Sequence, residues 1–292
     1  VRFEPNTFTI SPDKRWFVYF QENNNEIVLY LGNVENNNQR ALYWDNRWDE
    51  IVFWLNNDKL FVPPGPNHQS SIALNPFTGD WEELPSEFPS GLNFSFPYFY
   101  YNSTLSSVIY ISGDNYILWD KKSNKDIWIK PTLAAYLAPK WSPDGGRAAL
   151  VVRDQNNGLV RDELVLVNQD GKETDLSRFL QEIQGNLTIQ ITAVEWSPNN
   201  QYLALSLEFK NALDNLLDST LIIVDSFTGQ AADFCVPLAN NIIVWSPNSG
   251  KLAVEAFGQN KKDTSLYLID IEQGWAAEID KNLTPLGWMI TP

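Results

Sequence analysis

The chain has 292 residues, 43% of them apolar, which is enough for a sizeable core, and no run of about 18 apolar residues that would mark a membrane span. Its formal charge of -15 lacks the basic footprint that phosphate-backbone binding requires, so nucleic acid is excluded as a partner. A single cysteine, Cys235, excludes an intrachain disulfide, which fits a reducing compartment and equally an exported bacterial protein that manages without bridges.

Taken in chain order, the sequence reads as six repeated units, at approximately 6–42, 48–84, 93–130, 136–177, 189–236 and 240–280. The first holds a strand at Thr7–Ile10, a turn at Ser11-Pro12-Asp13, a second strand from Trp16 and a third from Ile27. The second has a degenerate turn, Trp54 to Asp58, after Ile51–Trp54. The third is more worn, with Phe96–Tyr101 leading into a turn at Asn102–Leu105. The last three carry clear turns, Trp141-Ser-Pro-Asp-Gly145, Trp196-Ser-Pro-Asn-Asn200 and Trp245-Ser-Pro-Asn-Ser249, after strands at Leu137–Trp141, Ala193–Trp196 and Ile242–Trp245. Proline cannot continue a central ladder, and Ser and Asp or Asn side chains bond nearby backbone, so each strand stops, turns and returns.

A second hairpin closes each unit. Asn75-Pro-Phe-Thr-Gly79 and Asp225-Ser-Phe-Thr-Gly229 are near copies, with the Asn or Asp ending a strand and the Gly supplying a left-handed position. Two hairpins per unit give four strands. Units of this length predict an all-β fold, a six-bladed β-propeller of four-stranded antiparallel blades, with seven blades the alternative. Ala148, Ala149, Ala204 and Ala253 let neighbouring second strands converge, and Trp141, Trp196 and Trp245 are expected as interblade packing residues. A helical lid is expected over Leu176–Gly185, with Ser177 as its N-cap. Residues 283–292 repeat the pattern of a first strand around Trp288. They are expected to close the ring or to pair with a second copy of the chain in a homo-assembly.

The Trp-Ser-Pro-Asp-Gly turn followed by an Ala-containing strand resembles the repeats of TolB-type β-propellers. The resemblance is specific at residues 139–152, 194–207 and 243–256. It implies a six-bladed ring in an exported bacterial protein, acting as a docking module, and it carries over no catalytic residue. The start at Val1 is what a mature form would show after loss of a signal segment, so the expected location is extracytoplasmic: periplasmic, cell-surface or secreted.

The residues offer little chemistry. His68 is the single histidine and has no His or Cys neighbour, so no N/S metal site and no Ser-His-Asp triad is expected. There is no nucleophile elbow and no phosphate loop, so no cofactor, metal or catalytic residue is assigned. Asp154 to Gly158 superficially resembles a calcium loop but reads as a hairpin turn. Cys235, between Phe234 and Val236, reads as a buried small hydrophobe. Sequons at Asn93, Asn102, Asn186 and Asn282 are no more than this much Asn, Ser and Thr supplies by chance.

The irregular segments fall on one face of the expected blades: Gln21–Glu26, Pro63–Gln69, Arg153–Asp162, Lys210–Ser219, Gly258–Asp263 and the connections between units. Loops on a rigid scaffold are where binding concentrates. Tyr43, Trp44, Arg47, Trp48 and Tyr136 are the candidate binding residues there. The expected function is a non-catalytic binding or scaffold module that docks a protein or glycan partner. The alternatives are a structural subunit of a surface assembly and a carbohydrate-active enzyme using carboxylates on that face.

Overall fold

The structure is a computed structural model. It describes residues 8–11, 13, 15–23, 26–36, 38–45, 52–62, 71–84, 99–104, 106–133, 137–156, 159–181, 187–211, 213, 215–257, 263–285 and 288. These fall into two compact units. The first holds one sheet of β1 (Phe8–Ile10), β2 (Trp16–Asn23), β3 (Glu26–Asn33) and β4 (Gln39–Asp45). Its second sheet is β5 (Phe53–Trp54), β6 (Leu60–Val62), β7 (Ile72–Leu74) and β8 (Trp81–Glu83).

The second unit opens with β9 (Phe99–Tyr101), β10 (Ser107–Ser112), β11 (Asn115–Asp120) and β12 (Lys125–Pro131). An eight-stranded sheet follows. It consists of β13 (Lys140–Trp141), β14 (Arg147–Asn156), β15 (Leu159–Asn168) and β16 (Glu173–Asp175), then β17 (Thr188–Trp196), β18 (Tyr202–Lys210), β19 (Leu216–Asp225) and β20 (Ala231–Asp233). Its two four-stranded groups are joined by one parallel bridge, Arg161 to Ile189. The last sheet is β21 (Leu238–Trp245), β22 (Lys251–Phe257), β23 (Thr264–Asp270) and β24 (Trp275–Lys281). Every pairing within a group joins strands adjacent in the chain and is antiparallel.

Burial explains why second strands read as unbroken apolar runs rather than alternating ones. Successive side chains of a strand point to opposite faces. In β14, Ala148, Leu150 and Val152 pack into a core with Ile109 and Leu118 of the preceding sheet. Ala149 and Val151 pack into another with Ile191, Val194 and Leu205 of the following group. Both faces are covered, so both parities must be apolar. Ala193, Ala204 and Leu221 meet Leu238, Ile243 and Trp245 in the same way.

The turns close as the sequence pattern requires. The hydroxyls of Ser11, Ser142, Ser197 and Ser246 donate to Asp13, Asp144, Asn199 and Asn248 at 2.6–2.8 Å. Each hydroxyl oxygen also accepts the amide that opens the next strand, from Trp16, Arg147, Tyr202 and Lys251 at 2.8–3.0 Å. Asn102 replaces this serine in the worn unit: its Oδ1 accepts from the amides of Ser106 and Ser107, and its Nδ2 donates to Gly145 O. That amide is buried and engaged, which removes Asn102 as a glycan acceptor.

Several expectations need correction. Of the expected lid, Arg178–Gln181 is helical (α1) and residues 182–185 lie outside the described residues; Ser177 does not cap α1 through its side chain. The Ser177 hydroxyl instead accepts the Leu164 amide of β15 at 2.6 Å. Arg153 to Asn156 and Leu159 to Asp162 are not an irregular insertion: β14 and β15 stay in register to Asn156 opposite Leu159. Gln21 to Asn23 likewise belong to β2 and Glu26 to β3, which pair as far as Asn23 opposite Glu26. Cys235 is exposed, with φ of 53°, because β20 ends at Asp233 and the Asp233 carboxylate takes the Cys235 amide at 2.7 Å. β17 and β21 begin several residues before the expected first strands, and each carries a register shift.

Candidate binding face

Within each group the hairpins between second and third strands lie at the end opposite the serine turns. In the eight-stranded sheet these hairpins are long, and polar residues at their roots are locked in place. Asp162 is 2% exposed, and its carboxylate holds Arg153 Nε at 2.9 Å and accepts the Ile191 amide at 2.8 Å. A buried ion pair keeps its charge only when further hydrogen bonds complete it, which the Ile191 amide does here. Beside it the Tyr116 hydroxyl donates towards Leu137 O and Val151 O, at 3.2 and 3.3 Å. Burial, then the charges of Tyr100 and Asp162, push that phenol well above its usual range, so it stays protonated.

A second polar knot lies in the last sheet. Glu255 of β22 is buried, and its Oε2 accepts from Asn240 Nδ2 at 2.5 Å and from the Thr284 hydroxyl at 2.6 Å. Asn240 sits where β21 shifts register, and Thr284 follows β24 on the way to Trp288. One carboxylate thus ties a first strand, a second strand and the C-terminal segment together.

An apolar cavity of about 290 Å³ is lined by Leu216, Leu217, Asp218 and Ser219 of β19 together with Pro237 and Phe257. Leu216 and Leu217 are 52% and 49% exposed, and Leu213, in the same hairpin, is 82% exposed. Isolated exposed leucines are ordinary, whereas three within five residues beside a cavity form a patch.

The candidate residues fare unevenly. Tyr43 and Trp44 are not in a loop: they belong to β4, opposite Leu29 and Val28. Arg47, Trp48, Tyr136 and His68 lie outside the described residues. Asp162, Glu255 and the Leu213–Leu217 patch were not picked out by type. The available signal was a lone acid inside an apolar run (Glu255) and three leucines within an Asn/Asp-rich hairpin. Among the described residues no group of three or more His, Cys, Asp or Glu side chains is placed to hold a metal. No helix there is long and apolar enough to cross a membrane.

Trp141, Trp196 and Trp245 each donate the indole N–H to a first-strand carbonyl of the preceding group: Tyr100, Lys140 and Glu195, at 2.7, 2.8 and 3.2 Å. Trp288 does the same to Val244 at 3.1 Å, and Trp54, in the other unit, to Thr9 at 3.3 Å.

No protein-family model matches the chain, and no curated protein matches it. Solved structures do. An oligogalacturonate lyase from Vibrio parahaemolyticus is similar over 97% of this chain and 79% of its own, with a TM-score of 0.66 at 13% identity. An oligogalacturonate lyase in complex with manganese is similar over 99% and 80%, with a TM-score of 0.65 at 13% identity. TolB from Acinetobacter baumannii is similar over 93% and 65%, with a TM-score of 0.52 at 13% identity. These likenesses show the fold, a β-propeller of the kind that TolB and the lyases share.

Proposed function

We propose that the chain is a non-catalytic binding or scaffold module, a six-bladed propeller of an exported protein that docks a protein or glycan partner on its loop-rich face. Six antiparallel groups of four strands support the blade number. The observation that carries the function is the exposed Leu213, Leu216 and Leu217 patch beside an apolar cavity, set on the β18–β19 hairpin, which Asn211 braces by accepting the Leu213 and Asn215 amides. Rigid roots under an apolar surface suit recognition, because little order has to be gained on binding. Tyr43, Trp44, Arg47, Trp48 and Tyr136 belong to the same reading as further contacts. The extracytoplasmic location rests on the TolB-type resemblance.

A photo-crosslinking side chain placed at Leu213, and separately at Thr228 on the opposite turns, tests this. Adducts with a partner should form at Leu213 and not at Thr228. Equal adducts at both positions, or none, would overturn the docking face.

The likeness to oligogalacturonate lyases favours one second reading, a carbohydrate-active enzyme. Incubation with oligogalacturonate, with and without manganese, separates the two. The binding reading expects no unsaturated product under either condition, and product that disappears on a face-carboxylate substitution would establish the enzyme.

A further inference from the structure

β15 and β19 are each ten residues long, but their outer partners β16 and β20 have only three. β16 reaches only Val165, Leu166 and Val167, and β20 only Ile222, Ile223 and Val224. The other half of each third strand therefore has an edge that its own group does not cover. In β15 that edge is met by a strand: Arg161 pairs in parallel with Ile189 of β17, and Ile189 and Ile191 are buried there.

In β19 the equivalent edge is open. Among the described residues no strand pairs with Leu216–Thr220 on that side. Leu221 O accepts from the Phe234 amide on the β20 side, at 3.1 Å. By the two-residue period of a strand, Ser219 presents its N–H and C=O to the same side. The Ser219 amide is held by its own neighbour, Asp218 Oδ1, at 2.9 Å. The 290 Å³ cavity runs along this edge. Two acids flank it: exposed Asp218, and Asp233 opposite Ile222.

We propose that the β19 edge at Leu216–Thr220 is a strand-addition site for an extended segment of a partner protein, apolar at alternate positions and flanked by Lys or Arg. The inference rests on the binding-module reading and gives it a partner class. Three observations choose the occupant. A strand already fills the equivalent β15 edge. The cavity accepts apolar side chains beside the backbone edge, the arrangement by which added strands gain both affinity and selectivity. The flanking carboxylates, on a chain of charge -15, attract a basic segment and repel a second copy of this one.

The probe is a synthetic peptide reproducing residues 187–192, the stretch around Ile189 where β17 bridges to β15, with one lysine added at each end. It should bind saturably to the intact protein by fluorescence anisotropy and slow amide exchange at residues 216–221. Asp218→Lys should weaken binding about tenfold or more by reversing one flanking charge. Ser219→Pro sets a ring against the edge and removes the amide that a partner strand would have to take over from Asp218; it should abolish binding, with circular dichroism and melting showing that it folds. Leu217→Asp, on an exposed side chain, gives the same expected loss without altering the backbone. No binding, protection elsewhere, unchanged affinity in all three variants, or mass that rises with concentration in the absence of peptide would each overturn the site. If the peptide fails while crosslinks at Leu213 persist, only the strand-addition site falls. If both fail, the binding-module reading falls with it.

Discussion

At Ser197 one hydroxyl joins both sides of a turn: it accepts the Tyr202 amide at 2.8 Å and donates to Asn199 at 2.7 Å. The serine is fully buried, so Ser197→Ala removes the Tyr202 amide's acceptor at a site where little water can replace it. The expected cost is about 1–3 kcal/mol, read from the denaturant midpoint at an unchanged slope. The role of this serine was legible, because Ser-Pro-Asp/Asn after an apolar run can hardly be anything but a turn. Cys235 was not legible. Its apolar neighbours suggested a strand, whereas the deciding contact is Asp233 taking its amide and holding it at positive φ. That is a local hydrogen bond that no hydropathy pattern reports.

At the scale of the element, the strands that carry the turns were readable and the lengths of their hairpins were not. Arg153 to Asn156 and Leu159 to Asp162 look like loop by composition, yet they pair residue for residue. Backbone pairing is indifferent to polar side chains once the root of a hairpin is held, and Asp162 holds this one from within. The candidate face was legible only as the place where repetition fails. Which acids are buried there depends on packing between sheets, which sequence spacing does not encode. The tryptophans test the packing directly. Trp196 is 7% exposed and lies in a core with Ala149, Leu203 and Leu205. Trp196→Ala should therefore cost about 3–5 kcal/mol. Unchanged thermal unfolding together with loss of a ligand would instead assign the ring to recognition.

At the scale of the whole molecule, residues 283–292 carry the sharpest expectation. Thr284 is bonded to Glu255 and Trp288 to Val244, so the segment is joined to the last sheet at two points. If it serves its own chain, deletion should lower the melting temperature steeply while the mass in solution stays that of a monomer. If it serves a neighbouring copy, deletion should turn an assembly into a stable monomer. A variant unchanged in both respects would make the segment a tail.

The five indole bonds to backbone carbonyls share a direction: the donor follows its acceptor in the chain, by 45, 41, 56, 50 and 44 residues. A chain emerging from the ribosome therefore lays down each carbonyl before the tryptophan that will seek it. At ~5–20 residues per second the wait is about 2–11 s. None of these five indoles has to be shielded until a later partner is made. Within each unit the sheets that carry these tryptophans find a prepared surface, and their assembly can keep pace with synthesis.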